Sequence, residues 1–236
     1  MSVGRPTTTV RRLILFDIDG TLVRGGPAKD AFQVALVETF GTAGDTTGVS
    51  FAGKTDPQIA RELMHGAGLL RADIDRGMVE LWPRYLRHLE ERLEDRPVEV
   101  IPGVVELLDA LAPLEDVGIG LVTGNIEGGA RLKLRSARLW DRFRFGGYGS
   151  DHEERDPLPA IALRRARDVW GHEVEPRDAV VIGDTPRDVA CGRIGGARTL
   201  AVATGGYDAR TLEATGADHV LPDLCATEAV LSWLLS

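Results

Sequence analysis

Lysine is nearly missing from this chain of 236 residues: Lys29, Lys54 and Lys133 are the only ones among 28 basic residues. The arginine bias fits a genome-level compositional preference, and it singles out each lysine for attention. Cysteine is just as scarce. Cys191 and Cys225 form no Cys-x-x-Cys pair and have no histidine cluster near them. That excludes a disulfide framework and a zinc site, and it predicts small buried thiols in a reducing compartment. No apolar run approaches the ~18 residues that a membrane span needs. Met1 to Arg12 shows no apolar stretch of the signal-peptide kind, so a cytosolic protein without membrane attachment is expected. Excess positive charge is absent too. A net charge of -8 and a pI near 5.2 argue against nonspecific nucleic-acid binding. Internal repeats and low-complexity segments are also missing.

What is present is ordinary globular sequence, 43% hydrophobic and 27% charged. The length suits one large domain or a core carrying one insertion. Residues 25–97 read as helices alone. Ala31, Phe32, Ala35, Leu36 and Phe40 form one helical stripe, and Ile59, Leu63, Ala67 and Leu70 a second. Met78 to Leu93 carries a third, interrupted by Pro83, which predicts a kink or a fresh start.

From Val98 onward short apolar strands alternate with helices. Strands are expected at Val117–Val122, Phe145–Tyr148, Ala179–Ile182, Thr199–Ala203 and His219–Leu221. Helices are expected at Gly103–Leu111, Ile126–Leu139, Pro157–Trp170, Pro186–Ile194 and Ala226–Leu235. This alternation predicts an α/β fold with a doubly wound parallel sheet. The strand before Asp17 belongs to that sheet, so the helical block is an insertion. Its linkers are Arg24-Gly25-Gly26-Pro27 and Arg96-Pro97.

The most informative segment is Leu13-Ile14-Leu15-Phe16-Asp17-Ile18-Asp19-Gly20-Thr21-Leu22. A period of two turns Asp17 and Asp19 to one side at the C-terminal end of the strand, where parallel sheets bind ligands. Two like charges this close need an offset, such as a divalent cation or a shared proton. A plain Asp-Gly turn is the bland alternative. Leu121-Val122-Thr123-Gly124-Asn125 ends another strand with a hydroxyl, backbone N–H groups and an amide suited to a phosphate, or simply forms a strand-to-helix turn. Val180-Val181-Ile182-Gly183-Asp184-Thr185-Pro186-Arg187-Asp188 brings a third and a fourth acid to a strand end, with Thr185 as N-cap.

The decapeptide resembles the first motif, Asp-x-Asp-Gly-Thr, of the haloacid dehalogenase superfamily, and the later segments resemble its second and fourth motifs in the right order. The resemblance implies a Rossmann-like core of residues 1–24 and 98–236 with a helical cap of residues 25–97, closest in style to the phosphoglycolate phosphatase-like subgroup. It implies that Asp17 is the nucleophile, Asp19 the general acid and base, and Thr123, Gly124 and Asn125 the phosphate cradle. Mg2+ is the implied cofactor, held by the Asp17 and Asp184 side chains and the Asp19 carbonyl, with Asp188 acting directly or through water. The family's third-motif cation is usually lysine. Here Arg155 takes its place, ahead of a helix expected to start at Pro157 with Asp156 as N-cap. His152 reads as a loop residue. Lys54 and Thr55, in a loop entering a cap helix, either meet the substrate or are solvated.

The activity implied is phosphatase action on a small phosphorylated metabolite, by a monomer or homodimer. A sugar phosphomutase shares Asp17 and Asp19 and is the alternative enzyme. A noncatalytic phosphate-binding or regulatory domain is the alternative of another class. Dehalogenases and phosphonoacetaldehyde hydrolases of the superfamily lack the second Asp, so Asp19 argues against both.

Overall fold

The apolar run ahead of Asp17 forms the middle of the sheet. In the computed structural model, which describes residues 9–236, β1 (Arg12–Phe16) has Leu13 to Phe16 wholly buried. Residues 1–8, which the expected core range and the reading of the N-terminus include, lie outside the described residues. β1 pairs in parallel with β4 (Val117–Thr123) on one side and β6 (Ala179–Gly183) on the other. β5 (Gly146–Tyr148) continues past β4, while β7 (Arg198–Val202) and β8 (His219–Leu221) continue past β6. The order is β5-β4-β1-β6-β7-β8, and every pairing is parallel.

Side chains alternate between two helical layers, as period two requires. Ile14, Phe16, Val180 and Ile182 pack with α4 (Val104–Leu111), α5 (Glu127–Ser136) and α9 (Thr227–Leu235). Leu13, Leu15 and Val181 pack with α6 (Leu158–Trp170) and Cys191 of α7 (Pro186–Ile194). Burial on both faces explains why these strands read as continuous apolar runs. Phe16 stands opposite Leu121 of β4 and Ile182 of β6. The three strands therefore end together, on the edge where an open parallel sheet binds ligands.

Between β2 (Val23–Arg24) and β3 (Glu99–Val100) lie α1 (Ala28–Phe40), α2 (Asp56–Gly66) and α3 (Arg71–Asp95). β2 and β3 pair antiparallel, joining the two ends of the insertion at its root. Two-residue strands carry no periodicity, so this pair was not foreseen. α8 (Ala209–Glu213) was also missed, being little more than one turn long.

Four expectations are corrected. α3 runs unbroken through Pro83. Proline deprives the Val79 carbonyl of its helical donor, and Pro83 and Val79 both lie on the exposed face of the helix. α2 ends at Gly66 and not near Leu70, because Gly68 adopts a left-handed φ of 86°. α6 begins at Leu158 with Pro157 at the cap position, and Asp156 makes no capping bond. Cys225 is exposed, unlike the buried Cys191. Among the described residues no helix is long and apolar enough to cross a membrane.

Candidate active site

The ends of β1, β4 and β6 bring Asp17, Thr123 and Asp184 to the floor of one cavity of about 500 Å3. Asp17 N–H donates to Ile182 O at 2.9 Å, which locks the turn after β1 to β6. Gly20 then turns the chain with φ of 84°, and a Cβ there would strike the Asp184 carboxylate. Thr21 Oγ1 donates to Asp184 Oδ1 at 3.3 Å. Asp17, Asp184 and Asp188 are all buried, and one oxygen of each lies within 4.8 Å of the others.

Arg155 is the cation inside this cluster. It is buried, and Nη2 donates to Asp17 Oδ1 at 2.9 Å, to Val122 O at 3.2 Å and to Asp188 Oδ1. Nη1 donates to Gly53 O at 3.2 Å, so the same guanidinium also holds the loop of the helical insertion. One arginine does not balance three acids. Burial raises the Asp17 carboxyl to about 6 against the opposing pull of Arg155. Burial, then the charges of Asp17 and Asp188, raise Asp184 to about 8. Missing positive charge among oxygen donors is what a hard divalent cation supplies, so the residues fit one. Asp188 is more committed: its Oδ2 accepts from Thr185 N–H at 2.9 Å and from Thr185 Oγ1 at 2.7 Å.

Asp19 sits apart, toward α5, with a cation of its own. Lys133 Nζ donates to Asp19 Oδ1 at 2.8 Å, to Asp19 Oδ2 at 2.7 Å and to Asn125 Oδ1 at 2.7 Å. Lys133 is only 4% exposed. Burial alone would raise the Asp19 carboxyl, but the charge and hydrogen bonds of Lys133 and the bond from Asn125 outweigh it and hold the group below its usual range. The Asn125 amide nitrogen donates to Asp19 Oδ2 at 2.7 Å and to Thr123 Oγ1 at 2.9 Å. Asn125 is thus engaged with Asp19 and Lys133, and the Thr123 hydroxyl keeps its own proton to donate.

Lys133 was not foreseen as a site residue. The available signal was its place beside Ile126, Ala130 and Leu134 in the apolar stripe of α5. A lysine in such a stripe is buried only when an anion meets it.

The helical insertion closes the cavity from above. Asp56 N–H donates to Gly124 O at 2.8 Å, and Asp56 Oδ2 accepts from Ile126 N–H at 2.8 Å, satisfying the start of α5. Gly124 has no room for a Cβ, which would run into the Lys54 carbonyl. Lys54 lines the cavity, but its ammonium is paired with Glu62. Thr55 stands behind the wall: its hydroxyl donates to Glu153 O and accepts from Gln58 N–H. Arg61 adds a forked pair to Glu153 at 2.7 and 2.8 Å. His152 is exposed and bonded only to Glu154 within its loop, so the structure leaves it outside the site.

With this geometry in view, the chain matches the model of a family described as haloacid dehalogenase-like hydrolase over residues 14–202. It is 31% identical to a phosphoglycolate phosphatase of Rhodospirillum rubrum, covering 91% of this chain and 88% of that one. It is 28% identical to phosphoglycolate phosphatase 1 of Pseudomonas aeruginosa, over 97% and 85% of the two chains. Among solved structures, a β-phosphoglucomutase from Clostridium difficile superposes with a TM-score of 0.70 at 16% identity, over 95% of this chain and 97% of that one. A hydrolase from Pseudomonas syringae gives 0.66 at 22%, over 96% and 100%. At those identities the structural likeness speaks for the fold.

Proposed function

Since the chain belongs to the haloacid dehalogenase-like hydrolases and resembles their phosphoglycolate phosphatases, we propose that it is a Mg2+-dependent phosphatase of a small phosphorylated metabolite, working through an aspartyl-phosphate. The observation that carries this reading is the buried group of Asp17, Asp184 and Asp188, with Asp19 held beside it on Lys133. The Asp17 carboxylate attacks phosphorus, and the ester oxygen leaves with a proton from Asp19. Water then attacks the aspartyl-phosphate, Asp19 takes its proton, and inorganic phosphate departs. The Asp17 and Asp184 side chains and the Asp19 carbonyl would hold Mg2+, with Asp188 acting directly or through water. Bound there, the ion neutralises charge on the transferring group.

Arg155 keeps Asp17 in line and shares the phosphoryl charge. The Thr123 hydroxyl and the Gly124 N–H meet phosphoryl oxygens. Asn125 and Lys133 orient Asp19. Residues 25–97 act as a cap over the core of residues 1–24 and 98–236, with the Lys54–Thr55 loop at the junction. Phosphoglycolate, from the names of the relatives, is one member of the substrate class.

The test is phosphate release from para-nitrophenyl phosphate by the purified chain with Mg2+. Release that is lost in Asp17→Asn and on chelation supports the reading. The absence of any release defeats it. Release without a bisphosphate activator also separates it from a phosphomutase.

A further inference from the structure

The roof of the cavity carries polar groups that the steps above do not use. Phe32, Phe51 and Ile59 make it largely apolar, and Tyr85 and Asp56 stand among them. Tyr85 is 2% exposed, and its ring packs edge-on against Phe32 with centroids 5.3 Å apart. Tyr85 lines the cavity, and its hydroxyl has no hydrogen-bond partner among the described residues. Burial first, then the charges of Asp56 and Asp19, hold the phenol well above its ordinary range, so it stays a donor. A buried hydroxyl of this kind is normally satisfied by water or ligand.

Asp56 spends Oδ2 on the Ile126 N–H, which leaves Oδ1 as an acceptor at the same wall. Of the cations lining the cavity, three are engaged. Lys54 is paired with Glu62, Lys133 with Asp19, and Arg155 with Asp17 and Asp188. Lys29 is exposed at the rim, 5.4 Å from the centroid of the Phe51 ring.

A carboxylate on the leaving group would face the Asp56 charge, and among the described residues the one lining cation without an ion pair is the exposed Lys29. A hydroxyl donates to Asp56 and accepts from Tyr85, completing both. We propose that Tyr85 and Asp56 form a subsite for a hydroxyl of the leaving group, and that the preferred substrates are phosphate monoesters of polyhydroxy alcohols. This rests on the phosphatase reading above and narrows its substrate class away from phosphorylated hydroxy acids.

The experiment compares kcat/KM for glycerol phosphate, propyl phosphate and phosphoglycolate on the full chain with Mg2+, with para-nitrophenyl phosphate as the reference ester. Glycerol phosphate should exceed propyl phosphate, its analogue without free hydroxyls, by at least about tenfold, since a polar subsite rejects a ligand that leaves it unpaired. It should also exceed phosphoglycolate. Tyr85→Phe and Asp56→Asn should each shrink the glycerol-to-propyl ratio severalfold. Taken within one variant, that ratio does not depend on the fraction folded. A wild-type ratio near one, a preference for phosphoglycolate, or ratios unchanged in both variants overturns the subsite while hydrolysis of the aryl ester leaves the phosphatase reading standing. If the aryl ester is also inert, the phosphatase reading itself fails, and the subsite with it.

Discussion

Lys133 grips both carboxylate oxygens of Asp19, at 2.8 and 2.7 Å, from the buried face of α5. Asn125 closes the triangle, so the Asp19 side chain is set by two residues of the segment that follows β4. Removing the ammonium while keeping the bulk, in Lys133→Met, should lower kcat by roughly ten- to a hundredfold. The sign of the pH effect follows from the lowered Asp19 carboxyl. Without the cation that carboxyl titrates higher, so the limb of kcat set by Asp19 as the base of aspartyl-phosphate hydrolysis, the acid limb, should move to higher pH. Lys133→Arg should restore part of the rate and part of the limb. A methionine variant with normal kcat and an unmoved limb would show that Lys133 is structural only.

The core was readable because its strands are buried on both faces and announce themselves as apolar runs ending in Asp17, Thr123 and Asp184. The parallel alternation and the inserted helices followed from the same patterns. What escaped the sequence depends on meetings between distant segments. Lys133 reads as one polar break in an amphipathic helix until Asp19 is placed opposite it. Asp56 and Tyr85 read as a helix start and a core aromatic, and only the packing of α3 and the α2 start over α5 gives them a cavity to face. Pro83 misled in the opposite direction, since the packing of the apolar stripe on both sides of it keeps one helix going despite the cost of proline.

Asp17→Asn keeps the shape of the side chain while removing the proposed nucleophile. Turnover should fall by more than about a thousandfold. The fold should survive, because the amide can still accept from Arg155 at the oxygen that now lies 2.9 Å away. Single-turnover trapping of phosphorylated protein, acid-quenched and digested, should label the peptide holding Asp17 in the wild type and nothing in the variant. Label on another peptide removes Asp17 from the chemistry.

The acid cluster predicts an unusual stability profile. Asp17 and Asp56 are raised to about 6 and Asp184 to about 8, each mainly by burial. An acid whose folded pKa exceeds its unfolded one binds more protons when folded. Metal-free stability should therefore fall as pH rises through the window from about 4 to about 8. At the proposed metal site Mg2+ would bind the ionised cluster and reverse the trend. Thermal unfolding at about pH 5.5 and about pH 8, with chelator or with Mg2+, reads both effects. A Tm gain from Mg2+ that is no larger at the higher pH counts against Asp17 and Asp184 as metal ligands.

Arg155 ties Asp17, Asp188 and the Val122 carbonyl of the core to the Gly53 carbonyl of the insertion. Arg155→Ala should lower kcat by about a hundredfold, since one charge-assisted contact in a water-poor site is worth on the order of 3 kcal/mol. It should also raise KM, because the loop that closes the cavity loses its anchor. Arg155→Lys returns the charge but not the fork, so it should recover part of kcat and little of KM. Arg164, exposed in α6 and bonded only to Ala160 O at 3.4 Å, is the proper control. Arg165 is not, for it binds Asp151 at 2.6 and 2.7 Å and Gly146 O at 2.6 Å and so braces the turn after β5. If Arg164→Ala and Arg155→Ala show equal kinetics, Arg155 is not the third-motif cation.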